Sequence, residues 1–261
     1  MQDRYAGDIG DYGKIGLLRA IRSSGLLIGV NWYKTEPTQQ EYQSDGTFRQ
    51  NDGKYRIPPD LAVCDLELAD TLNRISQKEK RAVNDVENAD LIPNAIYYAD
   101  SITVGTREIW HNNALNTLAS ADIVFLDPDN GLLVKSVSKK SKQSVKYTFY
   151  KEVSDYIRRG QSVMIYNHRS RKRPEIYFGE IYGKLRSIDE IRDKTIKIIT
   201  FPRYSVRDYF IICTNSDHSF KIQKALNRLV QSAWGEKKMC YLQENTIIDD
   251  DWSYCTKLNH P

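Results

Sequence analysis

The chain has 261 residues, 40% hydrophobic and 28% charged, with a formal net charge of +4. That length supports one large domain with a sizeable core, and the composition excludes a disordered, collagenous or disulfide-rich chain. No apolar run reaches the length of a membrane span, and the start Met1-Gln2-Asp3-Arg4-Tyr5 lacks the apolar core of a signal peptide. A cytoplasmic location with no membrane partner is therefore expected. The four cysteines, Cys64, Cys213, Cys240 and Cys255, show no Cys-x-x-Cys spacing and read as reduced thiols.

In chain order, a glycine-rich polar opening (residues 4–14) precedes a helical pattern in which Ile15, Leu18 and Ile21 recur. Ser23-Ser24-Gly25 stops it, and residues 26–30 read as a buried strand ending at Asn31. A polar loop or small insert is expected at about 37–60, then a helix over 61–81 and a short one over 84–90. A strand at 95–99 ends in Asp100, and a helix spans 108–120, with Trp110, Ala114 and Leu118 stacked at i+4. Ile123 to Leu126 is a second buried strand, ending in Asp127-Pro128-Asp129-Asn130-Gly131.

A basic loop at about 135–146 follows, then a helix at 150–159 and a strand at 162–166 that ends in Asn167-His168-Arg169. Residues 172–194 fit no clear pattern beyond a helix near 177–185. Strands at 196–201 and 209–213 predict an antiparallel hairpin, and 222–233 is a clearly amphipathic helix. The tail after Gly235 has no pattern. Strands alternating with helices predict a three-layer Rossmann-like α/β sheet carrying a C-terminal antiparallel hairpin, in a single domain.

Charge is unevenly spread. Residues 135–173 hold twelve Lys and Arg against two acids, a balance of +10 that leaves −6 elsewhere. A basic stripe beside an acidic strand end suggests a polyanionic partner, RNA or DNA, with Lys139, Lys140, Lys142, Lys146, Arg169 and Arg171 as candidate contacts. Strand ends in open α/β sheets are where ligands bind. Asp127, Asp129, Asn130 and His168 are accordingly the candidate catalytic residues.

The opening Tyr5-Ala6-Gly7-Asp8 with Asp11-Tyr12-Gly13-Lys14, the strand end Asp127-Pro128-Asp129-Asn130, and the later Ile165-Tyr166-Asn167-His168-Arg169 follow one another in an order that resembles bacterial large-subunit rRNA adenine methyltransferases, over about two-thirds of the chain. The resemblance implies a Rossmann-like class I methyltransferase that uses S-adenosylmethionine. It implies Gly7, Asp11, Lys14, Asn31 and Asp100 beside the cofactor, and Asp127 as the catalytic carboxylate. The family's Asp-Pro-Pro-Tyr is here Asp127-Pro128-Asp129-Asn130, which lacks the aromatic that stacks on a flipped base. The segment after Asn31 also lacks the family's glycine turn. Asp129 and Asn130 add oxygen donors instead. The alternative is a Mg- or Mn-dependent phosphodiesterase or phosphate-transfer enzyme, with Asp127 and Asp129 as ligands. A third reading is a catalytically inactive nucleic-acid-binding module.

Overall fold

The computed structural model describes residues 2–36 and 56–243. Most of the insert expected at about 37–60, and Cys255, lie outside the described residues. Helix α1 (Ile9–Arg22) leads into strand β1 (Ile28–Asn31), and α2 (Pro59–Ala62), α3 (Leu66–Ser76) and α4 (Val83–Asn88) precede β2 (Ile96–Tyr98). Then come α5 (Arg107–Thr117), β3 (Ile123–Leu126), the short strands β4 (Gly131–Leu132) and β5 (Tyr147–Thr148), α6 (Tyr150–Arg158) and β6 (Ser162–His168). The chain continues through α7 (Pro174–Arg186), β7 (Thr195–Phe201), β8 (Arg207–Cys213), α8 (Ser216–Val230), α9 (Ala233–Glu236) and β9 (Tyr241–Leu242).

Seven strands form one sheet in the order β2-β1-β3-β6-β8-β7-β9. Strands β2, β1, β3 and β6 run parallel, with Asn31 opposite Leu126 and Leu126 opposite Ile165. The antiparallel β8 lies between β6 and β7, so the expected hairpin is present and is built into the sheet interior. This is a mixed α/β, Rossmann-like architecture.

The strands are apolar on both faces, as a sheet covered by helices on each side requires. Side chains alternate with period two between layers. Ile123, Phe125, Met164, Tyr209 and Ile211 face a layer built from α1, α3, α4 and α8. Val124, Leu126, Val163, Ile165, Phe210 and Ile212 face α5, α6 and α7. Each fully buried Ile or Phe stabilises the sheet by about 1.5–3 kcal/mol.

Three elements differ from the sequence reading, each for a local reason. The glycine-rich opening is helical from Ile9, because the Asp8 carboxylate caps the Gly10 and Asp11 amides. The helix expected over 61–81 is broken, since Asp65 turns out of helical geometry to cap α3. The patternless tail supplies β9, which pairs with β7 through two residues, too few for a periodic signal.

Candidate functional site

From β1 the chain goes first to β2 on one side and only later to β3 on the other. Strand order therefore reverses between β1 and β3, the place where open α/β sheets carry their ligands. Asp127 follows β3 and Asn31 ends β1; the Asp127 amide donates to the Asn31 carbonyl at 2.9 Å.

On the α1 side, three charged groups converge. Lys14 Nζ lies 2.7 Å from Asp127 Oδ2 and 2.9 Å from Asp11 Oδ1, and all three side chains are almost fully buried. Asp11 Oδ2 also accepts the Gly7 amide at 2.9 Å. Gly7 has φ +83°, and a Cβ there would sit 2.7 Å from the Leu72 carbonyl, so only glycine admits this turn against α3. Burial pulls the Lys14 ammonium down, but Asp11 and Asp127 more than reverse it and hold it well above its usual value. Burial raises Asp127 above the usual carboxylate range, opposed by Lys14. Two carboxylates and one ammonium meet here, and the Asp8 carboxylate and the Arg207 and Arg81 guanidiniums lie close enough to act on them or on one another.

Around this trio the structure adds groups that the sequence reading passed over. Arg207 and Tyr166 flank it, and burial pushes the Tyr166 hydroxyl up to about 12. Burial, then the neighbouring Asp11 carboxylate, raises Asp8 to about 6, with Arg207 opposing. The folded state thus keeps this proton after the unfolded chain has released it, so Asp8 subtracts stability as pH rises from about 4 to 6. Asp8→Asn keeps the helix cap and removes that charge. Its expected effect is a gain of about 1–2 kcal/mol at pH 7, absent below pH 4, read from urea melts across pH. His168 runs the other way over the same window but is present in both proteins, so the difference isolates Asp8.

The candidate residues do not all face one way. Period-two alternation sends Asn31 to the opposite layer, where its amide donates to the Tyr156 hydroxyl at 3.3 Å. Asp129 turns from Asp127 toward Gln2 and Thr35, each at 3.4 Å, and Lys146 at 4.0 Å. Among the described residues, no group of three or more His, Cys, Asp and Glu side chains is arranged to hold a metal. Asp100 is exposed just past the end of β2. Trp32 and Tyr33 occupy the position of the missing glycine turn. Their rings are pinned into opposite layers, and Tyr33 itself takes the left-handed conformation at φ +46°. A bulky residue there is strained and is held by its surroundings.

Those surroundings are a second buried network. The Tyr33 hydroxyl donates to Glu152 Oε2 at 2.9 Å, and Arg107 grips the same carboxylate with Nε at 2.6 Å and NH2 at 2.8 Å. Arg107 also donates to the Ser144 and Tyr147 carbonyls, tying the end of the basic loop to the body. The only trace of this in sequence is Glu152 standing three residues after Phe149, whose amide it accepts at 2.9 Å.

Of the candidate nucleic-acid contacts, Lys139, Lys140, Lys142 and Arg171 are exposed, whereas Lys146 is half-buried. Arg169 is committed elsewhere: its guanidinium pairs with the buried Asp208 at 2.6 and 2.9 Å. His168 ends β6 with an open surface. Loss of hydration lowers its imidazole to about 4, with Arg207 and Lys14 acting the same way and Asp129 opposing. Asn130 and His168 both line a cavity of about 860 Å³ on the α7 side of the sheet. Comparison with known proteins gives no matching family model and no matching curated protein.

Proposed function

We propose that this protein is an S-adenosylmethionine-dependent methyltransferase acting on nucleic acid. The observation that carries the reading is the meeting of Asp11, Lys14 and Asp127, the residues that the resemblance puts beside cofactor and acceptor, at the point where strand order reverses. Carboxylates at such a point suit a ligand carrying a cationic sulfonium and an α-amino group. The order of the motifs along the chain is the one on which the family resemblance rests.

In this reading each residue has a role. When bound, S-adenosylmethionine supplies an electrophilic methyl group. Asp11 and Asp127 supply the negative field, and Lys14 fixes the orientation of both carboxylates. An Asp127 oxygen can accept an N–H of the acceptor amino group, aligning the nitrogen lone pair. Catalysis of this kind is mostly positioning. The exposed lysines at 139, 140 and 142 would meet phosphates of the acceptor strand. The metal reading gains nothing from the separate partners of Asp127 and Asp129.

Titration calorimetry of S-adenosylmethionine and S-adenosylhomocysteine against wild type, Asp127→Asn and Asp127→Ala tests this, with magnesium and manganese titrated in parallel. Expected is metal-independent binding of both compounds, weakened about tenfold or more in the variants. Metal binding that depends on Asp127, with no binding of either compound, would sink the reading. Failure of every ligand to bind would favour a module without catalysis.

A further inference from the structure

The cavity on the α7 side is separate from the buried trio, and its walls have a chemistry of their own. Its volume, about 860 Å³, falls in the range of small-ligand sites. Three lysines from distant segments converge on it: Lys135 past β4, Lys172 before α7 and Lys184 on α7. One carboxylate, Glu180, stands among them. It bonds the Lys172 ammonium at 2.6 and 2.7 Å and feels the fields of Lys184 and Lys135. Arg169, also in the wall, is neutralised by Asp208. Three ammonium groups against one carboxylate leave about two positive charges, which matches a phosphate monoester near neutral pH.

The rest of the lining is aromatic and amide-bearing. Tyr147 and Tyr150 flank the space, and the Lys184 ammonium lies 5.7 Å from the centre of the Tyr150 ring. Asn130 contributes an amide, which offers both donors and an acceptor to a base edge. Asn167 is spent on structure. Its Oδ1 accepts the Leu132 amide at 2.7 Å, and its Nδ2 donates to the Tyr177 hydroxyl at 2.7 Å. Gly131, at φ +117°, lies so close to that amide that any Cβ would overlap it. The wall between β4 and β6 is thereby fixed in place before any ligand arrives.

We propose that this cavity is a binding site for a phosphorylated nucleoside, with the phosphate on Lys135, Lys172 and Lys184 and the base against Tyr147 and Tyr150. The ligand is either a free nucleotide or one nucleotide of a single strand; aromatic faces beside cations serve both. The inference does not rest on the methyl-transfer reading.

Calorimetry with adenosine 5′-monophosphate, adenosine, inorganic phosphate and a short single-stranded oligonucleotide tests it. Wild type should bind the monophosphate better than adenosine, and inorganic phosphate should compete. Lys172→Ala/Lys184→Ala should weaken the monophosphate about tenfold or more. Glu180→Gln, which removes the opposing charge, should tighten it several-fold, a gain that a folding defect cannot mimic. Tyr150→Leu should weaken the monophosphate while sparing inorganic phosphate. Oligonucleotide binding without monophosphate binding assigns the nucleotide to a strand, and the reverse assigns it to a free molecule. The proposal is overturned if neither the monophosphate nor the oligonucleotide binds, if the monophosphate binds and adenosine binds equally well, or if the lysine and glutamate variants leave the affinity of the ligand that binds unchanged. S-adenosylmethionine titrated against the same variants should behave as wild type, which separates the two sites.

Discussion

Lys14→Ala should cost about 3–5 kcal/mol of folding stability at pH 7, because it removes the ammonium shared by two buried carboxylates. Asp11 and Asp127 have side chains 2% and 3% exposed, and the lysine is the cation that bridges them. Without it, the burial that raises Asp127 is no longer opposed by that ammonium, and its carboxyl would hold its proton to higher pH in the folded state than in the unfolded chain. The variant's stability should then fall as pH rises from about 4 to 7, so its deficit against wild type is smaller at pH 4–5 than at pH 7. Urea denaturation at several pH values measures this. Adding Asp11→Asn and Asp127→Asn should recover part of the loss, since polar amides are cheaper to bury than unpaired charges. A deficit independent of pH, or no recovery, would mean that Lys14 acts through packing under Trp32 and Tyr166 rather than through charge.

Glu152→Ala should be comparably severe, at about 3–5 kcal/mol, for the opposite reason: it takes the counter-charge from a buried guanidinium. Arg107 is 9% exposed at its side chain, and it loses a two-point grip while the Tyr33 hydroxyl and Phe149 amide lose their acceptor. Glu152→Gln retains one acceptor oxygen and should cost less, about 1–3 kcal/mol. The readout that distinguishes this network from ordinary core packing is local. Hydrogen exchange should accelerate at residues 142–148, because Arg107 is what ties the Ser144 and Tyr147 carbonyls down. Uniform destabilisation without faster exchange there would assign the loss to packing alone.

Much of the architecture was legible because burial on both faces writes long apolar runs, as in 123–126 and 162–166. The hairpin was legible from two β-rich runs joined by a short loop. The start of α1 was not. Glycines and aspartates at 7–13 weaken any helical signal, and only the Asp8 cap and packing against α3 decide the outcome. The site was half legible. Asp11, Lys14 and Asp127 do meet, but the alternation that carries Asp127 toward α1 carries Asn31 toward α6. Whether two strand ends face the same layer depends on where each strand begins, and apolar composition does not fix that parity. The lysine-lined cavity had no sequence signal beyond general basicity, because Lys135 and Lys184 are almost fifty residues apart and meet only through the fold.

The placement of β8 has a consequence for how the chain reaches this state. The central strand pairing on both sides of it, to β6 and to β7, waits for residues 207–213, among the last of the sheet to be synthesised. Until they emerge, β6 and β7 each present an open edge of strongly apolar backbone, a template for unwanted pairing. The first four parallel strands can assemble on a ribosome, but the sheet is two fragments until its keystone arrives. The parallel half of the sheet therefore keeps an open edge until one late interval of synthesis.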